Sequence, residues 1–326
     1  MKLGFIILAH NDPEAISRLV SILAVDGNQI VIHFDASSPI SQRETVCKLE
    51  AEYSGLVRVI SKIHCKWGEW SLVEAVLLAL KNFQCMSERP GFIHLMSASD
   101  FPIRPISDMR EFLERYPDQD YIESYDITKK PWVKGGLSME RFEFFFPVNF
   151  WTSRKTFNRL VYLQRKINMK RKIPLSMTPH MGSQWWTLRW NTCEKILNFI
   201  SKHPKIPRYF RSTWIPDESF FPTLVAYLIP HGEISNIQLL MHHFTPIGRP
   251  YIIYTDHVSI IRKIPHFFIR KVSSSARDAL WQVISNRKSP IPHPRNLAHV
   301  HDLLCKTIDR NYEFNDRTQG RTINRD

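Results

Sequence analysis

Across the first 125 residues, short apolar runs alternate with stretches in which apolar side chains recur every three or four positions. The runs at 4–9, 29–34, 56–60, 92–97 and 121–124 predict strands, and the stretches at 12–24, 41–53, 71–83 and 106–115 predict helices. Asp12 followed by Pro13 marks the first helix start, with the carboxylate as N-cap and the proline where no amide is needed. Strands and helices joined by brief loops predict an α/β fold with a mostly parallel central sheet covered on both faces. Ligands of such sheets bind beyond the carboxyl ends of the strands. That rule directs attention to His10, Asp35 and Asp100.

After Lys129 the pattern changes. Phe142, Phe144, Phe145, Phe146, Phe150 and Trp151 crowd together, and a basic helix is predicted over 153–172. A strand at 184–189, a helix at 192–202 and a further helix opening at Pro216-Asp217-Glu218 follow. The chain therefore divides into a first half, 1–125, a second half of the same domain, 126–275, and a basic, proline-rich extension, 276–326. The helix at 153–172 reads either as a membrane-surface helix or as one packed on the domain with a charged outer face.

Composition narrows the picture. At 43% hydrophobic and 12% aromatic, the 326 residues describe a folded chain. The formal net charge of +13 favours anionic partners, or a generally basic solvated surface. No zinc-finger or RNP-like signature accompanies it, so no nucleic-acid partner is expected and peripheral contact with an anionic membrane is. The five cysteines are scattered and include no CxxC pair, which reads as free thiols. The apolar run at the N-terminus is about six residues long, too short for a signal-peptide core of roughly 7–15. It is expected to be a buried strand, and no stretch approaches the ~20 apolar residues of a membrane span.

The candidate chemistry starts with metal ligation. Asp118-Gln119-Asp120 has the letters of a DxD motif but precedes a strand, which fits a turn or cap. The strand at 92–97 leads into Ser99-Asp100, a single carboxylate and a poor divalent-cation ligand set, so no metal and no cofactor are expected. Fixed cations would have to take that role, and Arg249, Arg262, Lys263, Arg270 and Lys271 are available, with surface salt bridging the alternative. Asp217 and Glu218 fall at a predicted helix start, where exposed amides and the helix dipole keep a carboxylate ionised, as a general base requires. On the residues alone, both are equally explained as helix-start acids.

Eight segments in order over 5–271 resemble one family, the core-2/I-branching glycosyltransferases, which include β-1,6-N-acetylglucosaminyltransferases and protein xylosyltransferases. They are FIILAHNDPEAISRLV, IVIHFDASSP, KWGEWSLVEAVLLAL, FIHLMSASDFPIRP, YIES, GSQWWTL, PDESFFPTL and FFIRK. The resemblance implies a GT-A-type fold, a nucleotide-binding half followed by an acceptor-binding half, a UDP-sugar donor, inversion to a β-linkage and no metal requirement. It makes Glu218 the preferred catalytic base, places Asp35 on the nucleoside and Trp67 on uracil, and gives Glu123 the acceptor hydroxyls. Lys271 matches the diphosphate-binding lysine, Arg270 adjoins it, and the second cation falls to Arg249 or to His242 or His243. Trp185 and Trp186 are candidates to wall the sugar site, with burial in a core strand the alternative.

The resemblance has departures. Ala36 stands where the family often has lysine, and the membrane anchor and luminal disulfides of animal members are missing. The chain looks like a bacterial, cytoplasmic member at the inner face of the membrane, serving surface-polysaccharide synthesis on a glycan or lipid-linked glycan acceptor. N-acetylglucosamine leads as the donor sugar. Xylose or another UDP-sugar is an alternative, as is a catalytically inactive glycan-binding relative.

Overall fold

The computed structural model describes residues 1–132, 137–243, 250–261, 264–285 and 290–297. In chain order its elements are β1 (Leu3–Ala9), α1 (Pro13–Leu23), β2 (Gln29–Phe34), α2 (Ile40–Glu52), β3 (Val57–Ile60), α3 (Trp70–Phe83), β4 (Phe92–Ser97), β5 (Phe101–Pro102) and α4 (Ile106–Arg115). Then come β6 (Asp120–Tyr121), β7 (Tyr125–Asp126), α5 (Glu140–Glu143), α6 (Arg154–Lys166), β8 (His180–Met181), β9 (Thr187–Arg189), α7 (Trp190–Lys202), α8 (Lys205–Phe210) and α9 (Phe220–Leu228). The last are β10 (Ile234–Ser235), β11 (Leu240–His242), α10 (Val258–Ile261), β12 (Phe268–Arg270) and α11 (Ser274–Ser285). They form two compact units, Met1–Ala98 with Leu113–Asn236, and Ser99–Phe112 with the described part of Ile237–Asp326.

The first unit is built on a seven-stranded sheet in the order β10-β6-β9-β4-β1-β2-β3. Strands β1, β2, β3 and β4 are mutually parallel, and β9 runs antiparallel to β4 and β6. Every residue of β2 and β4 is buried, as expected for predominantly apolar strands covered on both faces, and the burial extends to the polar Gln29, His33, His94 and Ser97. Edge strand β3 instead mixes buried ends with a more exposed middle. Helix α1 buries Ile16, Leu19, Val20 and Leu23 on one stripe, and the Asp12 carboxylate accepts from the Ala15 amide at its start. The mostly parallel α/β architecture expected from the alternation is present.

The second unit has a three-stranded sheet, β11-β12-β5, with β11 and β12 parallel and β5 antiparallel to β12. Its core includes Phe112 against Phe267, at 5.2 Å between ring centroids.

Three predicted elements differ from those observed. The basic helix ends at Lys166 instead of 172, because Asn168 adopts a left-handed φ of 49°, which asparagine tolerates and a continuing helix does not. The strand at 121–124 is split, with Asp120–Tyr121 in the large sheet and Tyr125–Asp126 paired to β8. The helix expected at Pro216 is a single 3-10 turn, Pro216–Glu218, followed by Ser219 at φ −131° and only then by α9.

Candidate active site

Glu218 closes that 3-10 turn. The turn is entered through Ile215 at φ 52°, a left-handed conformation that costs a β-branched residue on the order of 1–3 kcal/mol. The conformation is held from outside. The Ile215 amide donates to the Gly68 carbonyl at 3.2 Å, and Gly68 itself sits at φ 74°. The Ser219 amide donates back to the Pro216 carbonyl at 3.1 Å.

The Glu218 carboxylate receives Arg141 Nη1 at 2.6 Å. Its side chain is 26% exposed and that of Arg141 only 8%, so the cation is buried while the acid reaches solvent. Arg141 is fixed on two further sides: Nε donates to the Leu137 carbonyl at 3.1 Å, and the guanidinium carbon lies 4.9 Å from the centroid of the Trp214 ring. Burial pushes the Glu218 carboxyl above its usual range, and the Arg141 charge and hydrogen bond only partly reverse that. Next to it, burial and the Glu218 charge push Asp217 up to about 7, and Asp217 Oδ1 is buried with no hydrogen-bond partner. The helix start expected at these acids is a single 3-10 turn, which supplies little dipole, and desolvation raises both pKa values.

One other predicted segment is hydrogen-bonded to this turn, and a second is hydrogen-bonded to that segment. The Gly182 amide donates to the Glu218 carbonyl at 3.0 Å, and the next amide, Ser183, donates to Glu123 Oε2 at 3.0 Å. Gly182 passes so close to the Glu123 carbonyl that an added Cβ would lie 1.9 Å from its oxygen. The segments YIES, GSQWW and PDES, far apart in sequence, thus meet at one point. Trp185 is buried beside them, its amide on Ser183 Oγ at 3.3 Å. Trp186 is 1% exposed and packs on Phe221 in the core at 5.2 Å.

The strand-end residues of the same unit form a second corner. Buried Asp35 follows β2, and its carboxylate accepts from the Ser37 amide at 2.7 Å, the Ser37 hydroxyl, and the Cys65 amide at 2.8 Å. Burial alone would raise this carboxyl, but the three donors outweigh it and hold it below the usual range. Ser38 Oγ donates to the carbonyl of exposed His10 at 2.7 Å, tying the ends of β1 and β2 together. Trp67 is 56% exposed, its ring edge-on to Trp151 at 5.4 Å. Its carbonyl accepts from Asn149 Nδ2 at 2.6 Å.

In the second unit, buried Asp100 Oδ1 accepts from Arg270 Nη1 at 2.8 Å. Lys271 follows on the same strand end, half-buried. Burial and the Arg270 charge lower its pKa, against the pull of Asp100. Arg249, Arg262 and Lys263 lie outside the described residues. Of the DxD-like triplet, Asp120 is fully buried and engages the Arg189 amide at 2.8 Å, Arg189 Nη2 at 2.8 Å and Thr192 Oγ1 at 2.7 Å, a structural assignment. Among the described residues, no group of three or more His, Cys, Asp or Glu is placed to hold a metal ion. Cys47, Cys65, Cys85 and Cys193 are free thiols.

Arg141 is the functional side chain that the sequence reading missed. Its signal was weak: Arg141 sits among four phenylalanines, but Glu140 and Glu143 beside it offer local partners that hide the distant one.

The unit with the mostly parallel sheet thus carries a buried aspartate and a part-exposed glutamate side by side on an irregular turn. The sequence profile of the Core-2/I-Branching enzyme family matches residues 3–245, and the chain belongs to that family. It is 23% identical to the Xylosyltransferase of Ciona intestinalis over 231 residues, covering 69% of this chain and 25% of that protein. It is also 23% identical to human Xylosyltransferase 1 over 232 residues, covering 69% of this chain and 22% of that protein. The chain therefore spans about a quarter of the length of the curated relatives it matches. A solved structure, mouse xyloside xylosyltransferase 1 in its apo form, aligns over 72% of this chain and 83% of that one, at 14% identity and a TM-score of 0.30.

Proposed function

We propose that this chain is an inverting, metal-independent glycosyltransferase of GT-A type that moves a sugar from a UDP-sugar to a glycan hydroxyl, with Glu218 as general base. The observation that carries this reading is the Glu218 carboxylate, open to solvent on one side and held by buried Arg141 on the other, within a hydrogen-bonded junction that includes Glu123. Burial raises the Glu218 pKa and Arg141 partly offsets it, and a carboxylate with a raised pKa is the stronger base when it takes a proton. Glu218 takes the proton of the acceptor hydroxyl as that oxygen attacks the anomeric carbon opposite UDP, forming the new C–O bond while the bond to the diphosphate breaks. Glu123 orients the acceptor.

For the departing UDP, the family resemblance offers Lys271 with Arg270, in the second unit, as the cations. Burial, and then the adjacent Arg270 charge, lowers the Lys271 pKa, and a diphosphate placed there would offset both. Metal independence is supported by donor chemistry: Asp100 is engaged by Arg270, and Asp120 by Arg189 and Thr192. Asp35, His10 and Trp67 remain the nucleoside-side candidates. The acceptor is a glycan or a lipid-linked glycan.

N-acetylglucosamine and xylose are the donors to separate, and the xylosyltransferase relatives favour the second. A screen of UDP-sugars in excess EDTA, reading UDP release with and without glycan acceptors, tests the reading. One sugar nucleotide is expected to be turned over at an undiminished rate. Activity that EDTA abolishes and manganese restores would overturn metal independence, and binding without any UDP release would leave a glycan-binding relative.

A further inference from the structure

Helix α6 presents two unlike faces. Inward, Phe157 and Val161 join Phe144 in a buried cluster, packed on by Phe146, Phe150 and Trp214. Gln164, also buried, holds the Phe145 backbone twice, accepting from its amide at 2.7 Å and donating to its carbonyl at 3.0 Å. The helix is therefore fixed to its own unit before anything meets its other side.

Outward, Lys155, Arg159, Tyr162 and Lys166 recur at i, i+4, i+7 and i+11, one line along the helix, and all are exposed. Leu163 and Ile167 run beside that line four residues apart. Tyr162 is 62% exposed, Leu163 43% and Ile167 69%. No acidic residue occurs anywhere from 154 to 172. Arg165 and Lys170 are paired with Glu140 and Glu143, whereas Lys155, Arg159 and Lys166 carry no ion pair among the described residues. Phe145, Trp151, Tyr162, Leu163, Ile167 and Leu175 make this short stretch the densest collection of exposed large apolar side chains among the described residues.

Charge and apolar exposure together choose the partner. A polyanion such as nucleic acid or an acidic glycan would satisfy the cations and stack on Tyr162, but gain nothing from the aliphatic Leu163 and Ile167. An anionic bilayer takes both, with phosphates meeting the lysines and arginine while the tyrosine and aliphatic side chains enter the acyl boundary. Because α6 is already folded and anchored, docking costs no helix formation. We propose that the outer face of α6 is a membrane-docking surface lying in the plane of an anionic bilayer.

The test is co-sedimentation of the full chain with phosphatidylcholine vesicles, with and without phosphatidylglycerol, across a salt series. Binding is expected only with the anionic vesicles, weakening as salt rises. The combined change Lys155→Glu, Arg159→Glu and Lys166→Glu should lower the partition coefficient by tenfold or more, given roughly fivefold per basic side chain near such a surface. Tyr162→Ser with Leu163→Ser and Ile167→Ser should keep most low-salt binding but lose it about tenfold more steeply as salt is raised.

Thermal unfolding of both variants confirms that these exposed changes leave the fold intact. If either unfolds, Arg159→Glu and Ile167→Ser alone carry the same comparison with smaller shifts. Wild-type protein indifferent to phosphatidylglycerol, or a charge-reversed variant that binds like wild type, overturns the proposal. So does an apolar variant indistinguishable from wild type at every salt, since that marks a polyanion surface instead. Vesicle binding needs no sugar nucleotide, so its outcome is judged separately from the role of Glu218.

Discussion

Asp35 and Glu218 are both carboxylates held inside the first unit, yet their surroundings push them in opposite directions. Asp35 has three donors, from Ser37 and Cys65, with a smaller favourable contribution from His33, and its pKa is held below the usual range. Glu218 has one cation, Arg141, and an acidic neighbour, Asp217, and its pKa is raised. Desolvation raises both. At Asp35 the donors outweigh it, whereas at Glu218 it outweighs the single arginine, and that balance separates a carboxylate held as an acceptor from one poised to take up a proton.

The largest expected effect comes from deleting the proton acceptor. Glu218→Gln should cut sugar transfer by about a hundredfold or more, while calorimetric UDP affinity stays nearly unchanged. Wild-type turnover would remove Glu218 from the mechanism.

Removing its partner is a subtler probe. Arg141→Met takes away the charge that lowers the Glu218 pKa, so the acidic limb of the kcat profile should move to higher pH. Loss of this partly buried pair should also cost about 1–3 kcal/mol of stability in a denaturant titration. Arg141→Lys should restore much of the pH profile. A purely structural arginine would lower stability and leave the profile where it was.

The smallest effect separates the two corners by the pH dependence of unfolding. The folded-state pKa of Asp217 lies above its unfolded value, at about 7, so its contribution is full below about pH 4 and lost as pH rises through 7. Asp217→Asn should flatten that decline, a change on the order of 4 kcal/mol between pH 4 and 8. Asp35 is lowered, so its contribution is present above its unfolded pKa and lost as pH falls through the folded one. Asp35→Asn should therefore destabilise at neutral pH and matter progressively less in acid. Parallel melting curves for the two variants would erase the distinction.

Much of the fold was legible because the signal was local. Residues 29–34 and 92–97 are predominantly apolar and β-prone enough to name their own strands despite His33 and His94, and Asp12-Pro13 announces α1 by capping chemistry. The Glu218 turn was legible only as residues. Pro216 with two acids reads as a helix start, but the Ile215 amide is captured by Gly68, nearly 150 residues away, and that bond bends the chain off a helical course. Arg141 lies 77 residues from its partner acid, a separation at which no periodicity survives. The basic stretch after Ser153 was readable as either of two helices, and the structure shows one that is anchored on the inside and both charged and apolar on the outside.

Gly182 sets a limit on redesign. With an oxygen occupying the space where a methyl would go, position 182 can be neither decorated nor shifted without unpicking three distant stretches at once. Efforts to retune sugar preference can randomise its neighbours, but any transplanted loop has to arrive with a hydrogen at that spot and in the same frame.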